Sequence, residues 1–237
     1  MIETVAQIGS TNAALLDRLA AGESAPEGDW LVADRQVAGR GRAGRVWSDG
    51  FGNFMGSTVA HLRSGDPLPQ TLALVAGLAV HRAVMALAPG LEGLVLKWPN
   101  DLLAGQAKLA GILLERQGDS IVVGIGVNLA QAPDLPDRAT ASLESLGFRV
   151  SRDAFAEALA QEWHWALTRW HCGEWSALRQ EWLARAMPVG SLISVNDREH
   201  GLLMGAFGGI DGDGVALLRL ADGATRAIHA GDIDLVG

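Results

Sequence analysis

At 187-MPVG-190 the character of the chain changes, and that change restricts its fold more than any other feature. Upstream, segments of helical period alternate with short apolar runs of strand length. Downstream, every apolar segment is short and β-like: 191-SLISV-195, 201-GLLMGAF-207, 215-VALLRL-220, 224-ATRAIH-229 and 233-IDLV-236. Turns rich in Gly and Asp, such as 208-GGIDGDG-214, separate them. Short strands at that spacing read as a small barrel-like domain. The expectation is an α+β fold in two parts, residues 1–187 and a small β domain over 188–237, and a length of 237 residues suits one large domain plus a small one.

Within the first part, 10-STNAALLDRLA-20 reads as a helix capped by Ser10 or Thr11. The run 30-WLVADRQ-36 reads as a strand entering a glycine–arginine loop, and 53-NFMGSTVA-60 as the strand leaving it. Residues 68–88 read as a long apolar helix. Its stretch 72-LALVAGLAVHRAVMALA-88 is broken by His81 and Arg82 and is shorter than the roughly 20 residues of a bilayer span, so a buried helix and no membrane are expected. The strand 93-GLVLKW-98 ends in the turn 99-PND-101. Strands 108-KLAGILLER-116 and 120-SIVVGIGVN-128 pair through a hairpin at Gly118 and Asp119. Helices follow over 151–170, with Ser151 or Asp153 as N-cap, and over 174–186.

Composition excludes several classes. A chain that is 49% hydrophobic and 19% charged can bury a substantial core. A net charge of −8 disfavours nucleic acid as the partner. The N-terminus has no basic region followed by an apolar run, and Cys172 is the single cysteine, so a cytoplasmic protein without internal disulfides is expected.

Against that acidic balance, 39-GRGRAGR-45 is a local positive site. It matches G-x-G-x-x-G, but a dinucleotide turn must open a helix, and 46-VWSDGFGN-53 has no helical period. A nucleic-acid segment of RG type would be repeated and disordered, and the charge opposes it. A third reading fits better. Glycines allow mobility and close backbone approach, and arginine forks grip carboxylate and phosphate oxygens. Such a loop can close over an anionic ligand and exclude water from a reactive intermediate. Lysine usage points the same way. Of 19 basic residues only Lys97 and Lys108 are lysine, and both fall within one short region. A lysine offers a compact charge that approaches a single oxygen, where arginine is a wide fork.

The blocks 39-GRGRAGRVW-47, 97-KWPND-101, 108-KLAGILLE-115 and 124-GIGVN-128, in this order, closely resemble those of the biotin protein ligases. The opening 9-GSTN-12 and Gln36 match too, and the resemblance covers essentially the whole chain. It implies a mixed-sheet catalytic domain of the biotin/lipoate ligase type and an SH3-like C-terminal domain. It implies an enzyme that makes biotinyl-AMP from biotin and MgATP, then transfers biotin to one lysine of a biotin carboxyl carrier protein, a subunit of acetyl-CoA carboxylase or a related carboxylase. Some family members carry an N-terminal DNA-binding domain. Nine residues precede Ser10 here, so the monofunctional form is expected. The family often dimerises through sheet edges; the sequence does not identify such a surface.

Carried over residue by residue, the resemblance places Ser10, Thr11, Asn12, Gln36, Arg40, Gly41, Arg42, Lys108 and Gly111 around biotin. Arg40, Arg42, Arg45, Trp47, Lys97, Asn100, Lys108 and Asn128 fall to the nucleotide, with Mg²⁺ near Asn128 and its ligands unassigned. Lys108, Arg42, Lys97 and Asp101 are the expected catalytic set. Lys108 would bridge the biotin carboxylate and the α-phosphate, and Arg42 would grip the carboxylate and later the phosphate. Lys97 would be a second cation near the phosphates or would orient Asp101 by an ion pair. Asp101 would help deprotonate the incoming amine, and Trp47 and Trp98 would shape ligand walls. Local alternatives remain: Ser10 and Thr11 as a plain N-cap, Arg45 as a solvated cation, Asn100 and Asn128 as turn-closing residues. A lipoate-type ligase or transferase on the same fold stays open, as does a non-catalytic biotin-binding protein in which Lys108 only anchors an anion.

Other signals are weaker. His164, His171 and Cys172 lack zinc spacing and read as packing or exposed residues. The turn 211-DGDG-214 lacks the remaining ligands of a calcium loop and reads as a hairpin turn. Trp163, Trp165, Trp170, Trp175 and Trp182 read as helical core.

Overall fold

The computed structural model describes residues 1–48, 50–136, 138–197, 201–229, 231 and 233–235. Seven strands build one mixed sheet: β1 (Ile2–Val5), β2 (Trp30–Ala33), β3 (Phe54–His61), β4 (Leu94–Lys97), β5 (Asp101–Ala104), β6 (Ala107–Gln117) and β7 (Ser120–Val127), in the order β1-β2-β3-β7-β6-β5-β4. Only β1 and β2 run parallel. Parallel neighbours need a crossover, and α1 (Thr11–Ala20) supplies it. The expected hairpin joins β6 to β7 through Gly118, whose φ of +58° suits a glycine in a tight turn.

Both faces of the central strands are covered, so β3 is buried along nearly its whole length and β7 reads as an almost continuous apolar run. On one face α1 packs Leu15 against Leu31, Val59 and Val122. On the other lie α2 (Leu72–Leu87), α3 (Arg152–His171) and α4 (Trp175–Leu183). Helix α2 sits between the sheet and the other two helices. A Cβ at Gly77 would stand 3.3 Å from Leu96 of β4 and 3.8 Å from the Trp182 indole of α4. A helix enclosed on both sides has no use for a polar face, and this accounts for the long apolar stretch.

Of the five tryptophans expected in the helical core, Trp163, Trp170, Trp175 and Trp182 are buried. Trp165 is not. It lies half-buried between two guanidinium groups, Arg82 at 4.1 Å and Arg169 at 4.5 Å from its ring centroid, a cation–π stack on the α2–α3 surface. His171 is held between Asp66 (2.8 Å) and Glu27 (3.1 Å), so it ties the end of α3 to two loops.

The C-terminal segment forms an antiparallel sheet of β8 (Leu192–Asp197), β9 (Gly201–Ile210), β10 (Ala216–Arg219), β11 (Thr225–Ile228) and β12 (Ile233–Leu235), in the order β11-β10-β9-β8-β12. Alternating residues Ile193, Val195, Phe207, Leu218, Ile228 and Ile233 are buried and form its inner face. The turn at 211–214 is a hairpin turn, as expected: the Asp211 carboxylate accepts the N–H groups of Asp213 and Val215, both at 2.9 Å. Its carbonyls fasten the small sheet to the first domain. Trp175 donates to Gly212 O (2.6 Å), Trp98 to Gly214 O (2.9 Å) and Arg179 to Ile210 O (2.5 Å).

Several sequence expectations are corrected. Trp98 serves that domain contact and shapes no ligand wall. The strand expected over 30–36 ends at Ala33, and the helix expected over 174–186 spans Trp175–Leu183. Strands β1 and β5, each of four residues, were not expected. Both are too short for a period to stand out, and β5 begins directly after a turn.

Candidate active site

Glycines open the site. Successive residues of a strand face opposite ways, so Gly124 and Gly126 share one face of β7, the face on the α1 side, and Asn128 follows just past the strand's end. A Cβ at Gly124 would stand 2.1 Å from Asn12 Oδ1, and one at Gly126 would stand 2.2 Å from the Trp47 indole. Gly111 of β6 pairs with Gly126, and a Cβ there would meet Trp47 at 3.1 Å and Lys108 at 3.2 Å. The bare strip of sheet left by these glycines bears a cavity of about 390 Å³. It runs along β7 from Asn12, beside Gly124, past Trp47 to Asn128.

A chain of hydrogen bonds closes the Asn12 end. Ser10 caps α1, its hydroxyl accepting from Ala13 N–H at 3.4 Å. Both the backbone N–H of Thr11 (2.7 Å) and its hydroxyl (3.2 Å) lie within reach of Gln36 Oε1. The Thr11 and Ser57 hydroxyls are 2.6 Å apart, and Ser57 donates to Asn12 Oδ1 at 2.6 Å. Asn12 in turn donates to Glu115 (2.9 Å), and Glu115 also receives Arg40 (3.2 Å). Ser10, Thr11, Asn12, Gln36 and Ser57 are all buried. These partners come from α1, β3 and β6, so the end is built mainly on regular elements.

The glycine–arginine loop is a tongue over the cavity. Trp47 N–H bonds to Gly39 O at 3.0 Å and Gly41 N–H to Arg45 O at 2.7 Å, so the chain folds back on itself as a hairpin. A side chain at Gly39 would stand 2.7 Å from Trp47 O, which requires glycine there. Ala43 at the tip has a φ of +54°. Among the described residues the tongue holds only a three-residue 3-10 turn, Arg42–Gly44, and no α-helix follows before β3, which excludes the dinucleotide reading.

Toward the other end, Arg42 donates to Asn100 Oδ1 (2.9 Å) and reaches the carbonyl of Gly231 in the small domain (3.4 Å). Asn100 lies in the Trp98–Asn100 turn, whose Trp98–Pro99 bond is cis, and donates to Ile112 O at 2.7 Å. Lys108 Nζ lies 2.6 Å from Asp101 Oδ1, with both side chains largely buried. Asn128 donates to Ala141 O at 3.1 Å and to Lys108 O at 3.4 Å, which closes the neighbouring loop as the local alternative anticipated. Among the described residues, five cationic side chains, Arg40, Arg42, Arg45, Lys108 and Arg138, line the cavity against one acid, Asp101. A protein of net charge −8 thus holds a local surplus of positive charge where an anion would sit.

The cavity therefore gathers every residue expected around biotin and the nucleotide except Lys97. Lys97 ends β4 opposite Asp101 and does not line it, so a place beside the phosphates is not supported by its position. Sequence reasoning missed Ser57 and Glu115, which complete the closed end, and the glycines 124 and 126. It also missed the wall formed by Pro133, Leu135, Arg138 and Thr140. Ser57 carried a faint signal as a polar residue inside a buried strand. The 133–140 loop carried none, having no period. Among the described residues, no group of three or more His, Cys, Asp or Glu side chains is arranged to hold a metal ion.

Comparison with known proteins agrees with this geometry. The model of the biotin/lipoate A/B protein ligase family matches residues 5–130, and that of the biotin protein ligase C-terminal domain matches residues 190–236. The biotin–[acetyl-CoA-carboxylase] ligase of Paracoccus denitrificans is 38% identical over 234 residues, covering 91% of this chain and 92% of that protein. Its counterpart from Mycobacterium tuberculosis is 37% identical, covering 98% of this chain and 88% of that protein. A biotin protein ligase from Aquifex aeolicus, solved in complex with biotin and ATP, superposes with a TM-score of 0.85 over 99% of this chain and 98% of that one, at 25% identity. The chain belongs to the biotin/lipoate A/B protein ligase family, among its biotin protein ligases.

Proposed function

We propose that this protein is an ATP-dependent biotin protein ligase that forms biotinyl-5′-AMP and passes biotin to a lysine of a carboxylase's biotin carboxyl carrier protein. The observation that carries the reading is the position of Lys108, between a closed polar end and an arginine-lined end of one cavity. The ureido ring of biotin offers two N–H donors and one carbonyl acceptor. Thr11, Asn12, Gln36 and Ser57 present acceptors and donors in return. Lipoate, whose ring is a dithiolane, would leave these buried polar groups without a partner, which costs affinity.

In the first step a carboxylate oxygen of biotin attacks the α-phosphorus of ATP, and pyrophosphate leaves. Two anions must meet, and charge builds on the phosphate oxygens. Lys108, held by Asp101, supplies the compact charge between them and sets the line of approach. Arg42 and Arg40 on the tongue grip the developing mixed anhydride and exclude water. In the second step the acceptor amine attacks the acyl carbon, AMP leaves, and Asp101 takes up the amine proton. No covalent enzyme intermediate is required. Magnesium would arrive on the ATP phosphates, which supply hard oxygen ligands; Asn100, Asp101, Asn128 and Thr140 are the oxygen-bearing side chains of the lining that would face it. We assign catalysis to residues 1–187, a closing role to the small domain over 188–237, and the reaction to the cytoplasm. Incubation of a purified carrier domain with the protein, biotin and MgATP tests this. Mass spectrometry should find one biotinyl group on one lysine; an unmodified carrier would refute the proposal.

A further inference from the structure

One buried amide outside the expected site organises an entire cavity wall. Asn53 immediately precedes β3, just beyond the tongue, and is almost fully buried at 2% exposure. Its Oδ1 accepts three consecutive backbone N–H groups, from Leu129, Ala130 and Gln131, each at 3.0 Å. Its Nδ2 donates to Gln131 O at 2.8 Å. Four hydrogen bonds thus fix the chain where it leaves β7. The preceding sequence is shaped around this amide. A Cβ at Gly50 would stand 2.3 Å from Asn53 Nδ2, and Gly52, with φ +82°, would place a Cβ 3.0 Å from Ala130.

The segment so fixed continues as the cavity wall of Pro133, Leu135, Arg138 and Thr140. Its far side is zipped to Lys108: Lys108 N–H donates to Ala139 O (2.9 Å) and Ala141 N–H to Lys108 O (3.0 Å). Thr140 also donates to Pro133 O inside the loop. The wall flanks the Asn128 end of the cavity, opposite to the polar chain around Asn12. That end must take the nucleotide if the closed end takes biotin. Arg138, half-buried, is the cation this wall brings to it.

We propose that Asn53 is a positioning residue for the nucleotide half of the site, acting through the 129–140 segment, and that Arg138 is the group it delivers to the ATP phosphates. The inference rests on the ligase reading. It also explains how the tongue and the nucleotide wall share one anchor, since Asn53 ends the tongue's own connection and holds the start of the wall.

The test measures biotin-dependent pyrophosphate release as a function of ATP and, separately, of biotin, for wild type, Asn53→Ala and Arg138→Gln. Release by wild type with biotin establishes the ligase reading on its own; its absence would sink that reading and this inference together. With an active wild type, both variants should raise the KM for ATP about tenfold, the loss of roughly one charge-assisted hydrogen bond, with the KM for biotin within about twofold. A merely structural asparagine would lower the melting temperature and shift both KM values together, and that result overturns the proposal. If Asn53→Ala fails to fold, Arg138→Gln decides, because it changes the cation alone and leaves the four Asn53 hydrogen bonds to the wall in place. An unchanged KM for ATP in Arg138→Gln overturns the assignment.

Discussion

The two ends of the cavity are built on opposite plans. At the Asn12 end the polar groups sit mainly on α1, β3 and β6 and are bonded to one another in a chain from Gln36 to Arg40, buried except at its last two members, Glu115 and Arg40. At the arginine end the groups sit on the tongue, the Trp98–Asn100 turn and the 129–140 segment. Regular elements hold side chains within tight limits and suit a small rigid ring that must be told from its analogues. Loops that can part suit a ligand that arrives as a triphosphate, becomes an adenylate and must later admit a lysine. Lys108 stands where the two plans meet.

The sharpest way to break this contrast is at the junction. Lys108→Ala should slow biotin-dependent pyrophosphate release about 10²- to 10³-fold, the range for losing one transition-state charge partner. A rate within tenfold of wild type would show that the arginine end performs the chemistry unaided. The rigid end is tested next by Gly124→Ala, which drives a methyl group against Asn12 Oδ1. Titration should show a KM for biotin raised about tenfold or more and an unchanged KM for ATP. Equal changes in both would mean that the closed end is not the biotin end. The loop-built end is tested by Arg42→Gly. It should leave adenylation measurable but speed the escape of biotinyl-AMP about tenfold, as followed by rapid filtration. Unchanged escape would remove the tongue from adenylate retention.

The smallest effect lies outside both ends and serves as a control. His81 in α2 has its pKa lowered to about 4 by burial first, and then by the nearby cations Arg185 and Arg82. The unfolded chain binds that proton near pH 6.5, whereas the folded protein does not until about pH 4. Stability is therefore full above pH 6.5 and declines as pH falls toward 4. Thermal melts should show His81→Leu losing less stability than wild type across that window, with both KM values unaltered at pH 7.5. Parallel melting curves would mean that His81 takes up its proton at its ordinary pKa in the folded protein.

The same contrast explains how much was legible in the sequence. The fold was readable because α2, β6, β7 and α3 are long enough to show their periods, and because the chain turns wholly β-like after Met187. Most of the site was readable because its residues sit in compact blocks around Arg42, Asp101, Lys108 and Asn128. Partners fixed only in three dimensions were not. Ser57 and Glu115 are distant in sequence from Thr11 and Asn12, which they hold. Asn53 looked like one more polar residue at a strand start. Trp98 stands within a ligand block, but its indole turns to Gly214. Trp165 follows the same helical rhythm as its buried neighbours and yet falls on the outer face, where only the two arginines cover it.

The most direct measurement is pyrophosphate release from MgATP by the purified protein without carrier, in the presence of biotin, of lipoate and of neither. Release with biotin alone is the predicted result: on the proposed reading, biotin's ureido ring would satisfy the buried chain at the Asn12 end while its carboxylate reached Lys108, and a dithiolane would not. Release with lipoate, or no release with either acid from folded protein, would contradict it.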